Sequence, residues 1–570
     1  MRLHFVTGIL CLVATYDSGD ARRLASQIGL TNVTRREPYD MVERFFGMAP
    51  SRKDRLEIAT QMKISYGSTG TDPNRVIPLV ARPSPFVKGL LVYMSAEEAE
   101  NKSDATQGAQ LGLTRTSWWG GPYVNPRANL ANIMDGSNQP YFSKGKPVIV
   151  GTVRMGFGHH RIAYSAITWA LEKGMQPYLM DILAIDCPES RRVVDMDKAY
   201  SKLSRVASNF GGIVEAMWTK LMASGGGLNT LRFSCQLANQ LRPLMAGLPK
   251  DVPVISTHPW IGQIAVACGF KTVINLVIDN HPQWFVLVAG ALNLVQAPSY
   301  YQKLLQMKVP AKQLKYAGHW VSRDIVTFAV EDSQARINRC QRKDPLRLLV
   351  AIGGAGAQQK YVLGFVLGMR HLLASGRVKL IINSGDHAFM ADKLSSTFDK
   401  EGLEYVVHRS QEALNRFLVT HQLAASEVKD DPMITIFNFA AYHEAFRATD
   451  LLIRVTDVLA TKPSELAFFP VPKLSLRHVG GHESYSAVRS CELGDGTVEC
   501  LTVQLALENL ELLAKENSPM FMQMNKCIIE SAKAKLFDGS KVAIEIASGE
   551  TAAPSVGSGA LSADCQCATK

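Results

Sequence analysis

The sequence lacks any long uninterrupted apolar run: nowhere do about 18 consecutive apolar residues occur, which is the length that a membrane-spanning helix needs. Cysteine is also sparse, with 10 residues in 570 and no CxxC pair, which favours reduced thiols over a disulfide framework. Acidic residues are fewer than basic ones, 51 against 62. These features argue against an integral helical membrane protein and a disulfide-stabilised secreted domain.

The charge and the N-terminal segment bear on partners and localisation. The net charge of +11 favours anionic partners such as a phosphorylated substrate or an anionic membrane lipid surface, and a solvated surface without a special partner is the alternative. No nucleic-acid-binding signature accompanies the charge, so nucleic acid is not an expected partner. Residues 3–14 form a short, mostly apolar run that fits either a signal peptide core or a first strand. We therefore expect a cytoplasmic or peripheral membrane protein, with secretory or organellar targeting as the alternative.

The pattern along the chain predicts an α/β protein in four segments. Residues 1–145 are irregular and carry no chemical motif, residues 146–330 and 345–545 each alternate apolar strands with amphipathic helices, and the Gly/Ser/Ala-rich residues 546–570 are predicted to be disordered. A polar connection, 331–345, joins the two α/β domains. Strands are predicted at 147–153, 254–257, 272–278 and 292–296 in the first domain, and at 346–352, 378–382, 433–437 and 451–455 in the second.

A glycine-rich turn with two histidines follows the first predicted strand, and its sequence is Met155-Gly156-Phe157-Gly158-His159-His160-Arg161. Glycines let the backbone approach a ligand closely, and the helix that follows presents unpaired amides at its N-terminus. A histidine at such a place can act as a general base near neutral pH. The alternative is a structural turn that carries a surface histidine.

This turn and several downstream segments resemble monogalactosyldiacylglycerol synthases and the related MurG transferases, which are GT-B proteins of glycosyltransferase family 28. The turn is similar to their Gly-Gly-Gly-His-Arg loop. Residues 277–285, VIDNHPQWF, resemble a V-x-D…HP-x-WF segment, residues 461–467, TKPSELA, resemble the donor-binding stretch, and residues 481–484, GHES, resemble a GQE-x segment. The resemblance covers about residues 146–545 in the right order and does not extend to the first 145.

The resemblance implies a GT-B fold, in which two Rossmann-like domains face each other across a cleft, here with an irregular N-terminal extension. It implies inverting transfer of a hexose from a UDP-sugar to a lipid or other hydroxyl acceptor, with glycolipid synthesis at a membrane as one setting and with no cofactor or metal. The loop histidine would deprotonate the acceptor hydroxyl, a contribution of roughly 10²–10⁴-fold in rate. Keeping the Gly-x-Gly spacing selects His159, which we prefer, and keeping His-Arg adjacent selects His160.

The candidate site residues fall into three groups. The catalytic residues would be His159, His160 and Asp279, the last at the carboxyl end of a strand unless it only caps a helix or turn. The acceptor-binding residues would be Gly156, Gly158, His281 and Trp284, although Trp284 is equally suited to a core. The donor-binding residues would include glycines that contact the diphosphate and residues that contact the base, the ribose and the sugar. They would be Gly353, Gly354, Gly356, Phe437, Asn438, Thr461, Ser464, Glu465, His482 and Glu483.

One departure from the family concerns the donor stretch. Between Lys462 and Glu465 the chain lacks the glycine-rich insertion that family members carry, which removes flexible amides near the phosphates. Glu465 would hold the ribose hydroxyls, unless it only favours a helix N-terminus. Two further hypotheses stay open: a catalytically weak GT-B-like protein that binds a nucleotide or sugar, and a nucleotide-sugar epimerase or hydrolase on the same architecture.

Overall fold

The computed structural model of the chain describes residues 41–55, 57–58, 146–153, 157–182, 227–245, 248–353, 358–423, 432–479 and 481–550. The apolar run at 3–14, most of the N-terminal extension and the tail after 550 lie outside these ranges. So do three of the predicted site glycines, Gly156, Gly354 and Gly356.

The described strands form two parallel sheets of six strands each. Short runs of β-branched and aliphatic residues, such as Val148-Ile149-Val150 in the first strand, are buried on both faces, as parallel strands require. The first sheet has the order β2-β1-β3-β4-β5-β6 and the second has the order β12-β11-β7-β8-β10-β9. The strands are β1 Lys146–Thr152, β2 Met175–Asp181, β3 Val254–Ser256, β4 Val273–Leu276, β5 Leu292–Val295, β6 Leu314–Tyr316, β7 Leu346–Ala351, β8 Val378–Asn383, β9 Val406–His408, β10 Ile434–Phe437, β11 Val458–Thr461 and β12 Lys473–Ser475.

Helices connect and flank the strands. Their amphipathic faces pack on the sheets and form one set of apolar clusters for each domain. Within the described ranges, every helix is too short or too polar to span a lipid bilayer. The helices are α1 Met41–Phe46, α2 Gly158–Glu172, α3 Leu228–Gln240, α4 Pro259–Ala267, α5 Pro298–Gln306, α6 Arg323–Val326, α7 Ala329–Arg342, α8 Gln359–Gly368, α9 Arg370–Ala374, α10 Ala388–Glu401, α11 Gln411–Leu423, α12 Tyr442–Leu452, α13 Ser484–Glu492, α14 Val503–Leu513, α15 Pro519–Lys533 and α16 Gly539–Ser548.

Two successive Rossmann-like domains, each with its own parallel sheet, confirm the predicted GT-B fold. The last helix, α16, returns to the first domain, where Ala543, Ile544 and Ile546 join its apolar cluster. The side-chain oxygens of Ser165 in α2 and Ser540 in α16 are 2.6 Å apart. The end of the predicted second domain therefore packs on the first.

One sequence prediction about an element is wrong, and one predicted connection has a regular structure that the sequence pattern did not indicate. The predicted strand at 451–455 is the buried end of helix α12 followed by a 3-10 turn, Ile453–Val455, because a short apolar run fits a buried helix end as well as a strand. The predicted polar connection is mostly helix α7, whose Arg336 is fully buried. The Arg336 guanidinium donates to the carbonyl oxygens of Thr456 at 2.8 Å and Ile453 at 2.9 Å.

A short part of the N-terminal extension belongs to the first domain. Met41, Val42 and Phe46 of α1 are buried in an apolar cluster with residues of α3, α5 and β5. The Gln313 amide donates to the Phe45 carbonyl oxygen at 2.7 Å. This helix is therefore part of the apolar packing of the first domain.

Candidate active site between the two domains

The first sheet reverses its strand order next to β1. The chain runs from β1 to β2 on one side and then returns to β3 on the other side of β1. In open α/β sheets, ligands bind outside the carboxyl ends of the strands at such a switch point. Here β1 leads to the turn that carries His159, and β3 leads to Thr257 and His258.

The second sheet has its own switch point between β7 and β11. The chain moves from β7 towards β8 and returns later to β11 on the opposite side. Gly353 follows β7 and Lys462 follows β11, so residues far apart in sequence become neighbours. A Cβ atom on Gly353 would lie 3.1 Å from Lys462 Cε. The predicted donor residues Gly353 and Thr461 therefore lie near each other, where β7 and β11 end.

The two switch points face each other and are in contact. A Cβ atom on Gly158 would lie 3.0 Å from Glu465 Oε2, so this glycine allows the second domain to approach the start of α2. The buried Arg161 guanidinium pairs with Glu465 and donates from Nε to Asp450 Oδ1 at 2.7 Å. Phe157 also enters the second domain, with its ring 5.0 Å from that of Tyr442.

His159 is held as a neutral base. Its Nδ1 lies 2.5 Å from the Thr257 carbonyl oxygen, and because a carbonyl only accepts, the ring proton is on Nδ1 and the lone pair on Nε2. Burial lowers the pKa of His159 to about 4, against a smaller opposing effect of the Thr257 hydrogen bond. The imidazole is therefore unprotonated at neutral pH and can accept a proton there.

His160 is engaged at both ring nitrogens. Its Nε2 lies 3.0 Å from Asp181 Oδ2 at the end of β2, and its Nδ1 lies 3.4 Å from the Tyr442 hydroxyl. The ring also packs edge-on against that of Tyr442. These contacts fit a residue that joins α2 to the end of β2 and to the second domain, and they leave His159 as the better candidate for a base.

Asp279 lies after β4, in a left-handed backbone conformation with φ of 59°. Few residues other than glycine adopt this conformation, and aspartate is among those that tolerate it. Asp279 Oδ2 lies 3.9 Å from His482 Nε2 of the second domain. Burial raises the pKa of the Asp279 carboxyl, while His482 opposes that rise. The structure thus brings together two of the predicted residues from opposite domains.

Glu483 and Lys462 form a partly buried ion pair beside this contact. The Lys462 ammonium donates to Glu483 Oε1, and the Val479 amide donates to Glu483 Oε2 at 2.8 Å. Burial alone would raise the pKa of Glu483, but Lys462 and His482 hold it below its ordinary value. Both carboxylate oxygens of Glu483 thus have donors within the protein.

The remaining residues of the donor stretch lie at the end of β11. Thr461 Oγ1 donates to the Ala351 carbonyl oxygen at 3.3 Å. Ser464 precedes a 3-10 turn, Glu465–Phe468, so a helical turn does begin where the sequence predicts one. Glu465 Oε1 is paired with Arg161, and a carboxylate can accept further hydrogen bonds while it keeps such a contact.

Phe437 and Asn438 are bonded within the second domain. The Phe437 ring is fully buried, and its carbonyl oxygen accepts from Ser384 N at 2.9 Å and Ser384 Oγ at 3.0 Å. Both lone pairs of that carbonyl are used, so it has no capacity left to recognise a base. Asn438 Nδ2 donates to Gly385 O at 3.0 Å, and its Oδ1 accepts from Arg409 at 2.7 Å.

The predicted acceptor residues divide into two groups. The His281 ring lies 4.4 Å from that of Tyr485 in the second domain, and its buried Nδ1 has no hydrogen-bond partner among the described residues. Burial lowers the pKa of His281. Trp284 lies instead in a 3-10 turn and packs against the Phe46 ring of α1, with centroids 6.3 Å apart. Trp284 is therefore part of the apolar packing of the first domain.

Three residues of the candidate site are not among those predicted from the sequence: Arg161, Asp181 and His258. Arg161 was visible only as part of the resemblance, and its buried partners come from the second domain. Asp181 ends a strand that was not predicted. The signal for His258 was present, since Thr257 and His258 end a predicted strand at the edge where parallel sheets bind ligands.

Two families of domains match most of the chain between them. Residues 107–305 match a family described as a domain of unknown function, DUF6937. Residues 309–548 match a second family described as a domain of unknown function, DUF6938. Neither description assigns an activity, and no protein of curated function matches the chain.

Several solved structures are similar to the chain at low identity. A UDP-GlcNAc 2-epimerase from Neisseria meningitidis bound to UDP-GlcNAc is 10% identical, with 70% of this chain and 98% of that chain covered and a TM-score of 0.39. The Methanocaldococcus jannaschii UDP-GlcNAc 2-epimerase in complex with UDP-GlcNAc and UDP is 13% identical, with 69% and 99% covered and a TM-score of 0.35.

A spinosyn rhamnosyltransferase complexed with spinosyn aglycone is 8% identical, with 72% of this chain and 98% of that chain covered and a TM-score of 0.24. At these identities and TM-scores, the similarities do not indicate which substrate this chain binds or which reaction it catalyses. The resemblance to family 28 glycosyltransferases stays a prediction.

Proposed function

We propose that the protein is an enzyme that acts on a nucleotide sugar and transfers a hexose from a UDP-sugar to a hydroxyl acceptor. The observation that supports this most strongly is the contact between the switch points of two Rossmann-like sheets. A neutral histidine of the first domain, His159, lies at this contact, where the charge of Glu465 in the second domain acts to raise its pKa. A base in the first domain and a carboxylate in the second domain that can bind the ribose suit such a transfer.

In the proposed reaction, His159 Nε2 takes the proton of the acceptor hydroxyl while the hydroxyl oxygen bonds to the anomeric carbon. The bond between that carbon and the diphosphate oxygen breaks, and its electron pair leaves with UDP, so the configuration inverts. The Lys462 ammonium, next to Gly353 at the end of β7, would offset charge on the leaving diphosphate. This cation could replace the amides of the missing glycine-rich insertion.

Epimerisation or hydrolysis of a nucleotide sugar is the second candidate. Here the supporting observation is that burial raises the pKa of Asp279 while burial lowers that of His159. A buried carboxyl group with a raised pKa can donate a proton, and a buried neutral imidazole can accept one, so the two groups suit acid and base roles on one substrate. The burial of both histidine-turn rings between the domains also favours a small substrate over a large lipid acceptor.

The first test is a thermal-shift screen with UDP-sugars, GDP-sugars and other nucleotide sugars. A ligand that binds the native state at 100 times its dissociation constant stabilises it by about 2.7 kcal/mol. The ligand that raises the Tm is then incubated with and without hydroxyl acceptors. A glycosylated acceptor supports transfer, an isomerised sugar supports epimerisation, and a released sugar supports hydrolysis. Binding without turnover would indicate a binding protein, and no Tm rise with any ligand would contradict the proposal.

A further inference from the structure

His258 occupies the switch point of the first sheet beside His159. It lies two residues after the end of β3 and is the N-cap of α4, where its Nδ1 accepts a hydrogen bond from the Trp260 amide at 3.3 Å. The side chain is 2% exposed, and its ring centroid lies 4.6 Å from that of His159. The aromatic ring of Trp260 packs edge-on against it, with centroids 5.0 Å apart.

The two neighbouring imidazoles are fixed in opposite tautomers. Because Nδ1 of His258 accepts a hydrogen bond from an amide, the ring proton must be on Nε2, which is then a donor. His159 donates from Nδ1 to Thr257, so its Nε2 is an acceptor. Burial, and then the nearby His159, hold the pKa of His258 well below its ordinary value, so the ring stays neutral. The pair therefore offers one donor and one acceptor without net charge.

A hydroxyl group is the ligand that matches such a pair, since its proton can go to an acceptor while its oxygen accepts from a donor. We propose that His258 contacts the substrate and donates a hydrogen bond from Nε2 to the oxygen whose proton His159 removes. This role rests on the proposed function and adds a second catalytic histidine to it. The proton moves from the hydroxyl to His159 Nε2, and the negative charge that develops on the oxygen is stabilised by His258, which keeps its own proton.

Capping alone does not explain a histidine at this position. Serine, threonine, aspartate and asparagine are the preferred N-cap residues, and each would accept from the Trp260 amide with a smaller side chain. Placing a second buried imidazole beside His159 adds desolvation of another polar ring. A neutral donor aimed at developing charge in a water-poor site is, in contrast, a large contribution to catalysis.

The tautomers can be measured without any knowledge of the substrate. In the full-length protein labelled with ¹⁵N-histidine, we expect the neutral ring of His159 to carry its proton on Nδ1 and that of His258 on Nε2. The variants His159→Asn and His258→Asn assign the two sets of imidazole signals by their loss. A His258 ring that carries its proton on Nδ1 at neutral pH would overturn the proposal.

The kinetic test uses His258→Asn, which retains an oxygen acceptor for the Trp260 amide and removes the Nε2 donor. We expect kcat for the nucleotide sugar to fall by about 10²–10³-fold, with the Tm close to that of the wild type and the Kd for UDP within about twofold. The same substitution at His371, an exposed histidine paired with Glu511, should change none of these. Unchanged kcat in His258→Asn overturns this role alone, whereas absence of any turnover by the wild-type protein overturns the proposed function as well.

Discussion

Adjacent histidines in the turn before α2 differ in what their ring nitrogens contact. His159 has one nitrogen bonded to Thr257 and the other available as a lone pair, whereas His160 lies between Asp181 and Tyr442. We expect His159→Ala to lower turnover of the nucleotide sugar by at least about 10²-fold while UDP affinity is retained, because only the base is removed. Turnover, UDP affinity and Tm are measured for His159→Ala and for His160→Ala.

For His160→Ala we expect a lower Tm instead, because Asp181 loses a buried hydrogen-bond partner. The residual turnover at a temperature where this variant is folded should exceed that of His159→Ala. The opposite ranking, with His160→Ala inactive and stable, would assign the base to His160.

Burial of His159 also makes stability depend on pH. The pKa of His159 is about 4 in the folded protein, below the ordinary value of 6.5, so protonation favours the unfolded chain. Its contribution to stability is fully present above pH 6.5 and is lost as the pH falls towards 4. Between pH 7 and pH 5 we expect this residue to account for about 2 kcal/mol of the lost unfolding free energy.

Urea denaturation of the wild type and His159→Gln at both pH values isolates this contribution, because glutamine does not titrate. The wild type should lose more unfolding free energy than the variant over this interval. Equal losses in the two proteins would mean that folding does not lower the pKa of His159, so that the imidazole is protonated in the folded protein at pH 5.

Gly158 tests the contact between the switch points. A Cβ atom there would lie 3.0 Å from Glu465 Oε2 and 3.2 Å from its Cδ, so Gly158→Ala should displace the Glu465 side chain. We expect weaker nucleotide binding, by about tenfold or more, and also a lower Tm, because displacing Glu465 disturbs its ion pair with the buried Arg161. Gly227→Ala is the control, since a Cβ atom there meets nothing within 4 Å. Calorimetric titration with UDP measures the dissociation constant of both variants, and only that of Gly158→Ala should rise.

At the scale of elements, a buried arginine of helix α2 contacts the second domain. Arg161 lies between Asp450 and Glu465 of the second domain, and the Asp450 carboxylate is almost fully buried. Arg161→Met would leave that carboxylate without its closest partner, and removing one member of a buried pair lowers stability by about 3–5 kcal/mol. Urea denaturation should show this loss.

The matched control is Arg323→Met, whose ion pair with Glu172 is nearly half exposed on both sides. Exposed pairs of this kind contribute about 0–1 kcal/mol, so this variant should unfold close to the wild type. Equal effects of the two substitutions would mean that Arg161 does not connect the domains in solution.

The elements that sequence could predict are those with a strong local signal. Strand β1 contains a run of β-branched residues, and its predicted bounds differ from the observed ones by one residue at each end. The turn after it is marked by glycines. Strand β2, in contrast, contains Pro177 and lies at the edge of the sheet, where a missing amide donor is tolerated. Its sequence therefore does not look like a strand, and Asp181 at its end could not be placed.

The candidate site shows the same division between local and distant information. Gly158, His159 and Asp279 are marked by strand ends in their own segments of the sequence. The pairings of Arg161 with Asp450 and of His482 with Asp279 depend on how two domains meet. No local pattern encodes that geometry, so these contacts could not be predicted from the sequence.

For the whole molecule, the return of the chain to the first domain is the feature that connects the most distant parts of the sequence. After the second domain, α16 enters through Gly539, whose amide donates to the His319 carbonyl oxygen at 3.0 Å. A Cβ atom on Gly539 would lie 2.5 Å from the carbonyl oxygen of Gly318 and 2.7 Å from that of His319. Both obstacles are backbone atoms, so a side chain cannot be accommodated by a rotamer change.

We therefore expect Gly539→Ala to displace α16 from the first domain and to lower stability by about 1–3 kcal/mol, as overpacking does. Because α16 links the last part of the chain to the first domain, the two domains should also unfold less cooperatively, with an earlier first transition in urea and faster proteolysis near residue 539. Gly364→Ala is the control. Gly364 lies within helix α8, and a Cβ atom there would be 3.4 Å from the Val503 side chain, which is an ordinary van der Waals contact. The free energy of unfolding should therefore stay the same or rise. If both variants unfold in one unchanged transition, the docking of α16 does not hold the two domains together.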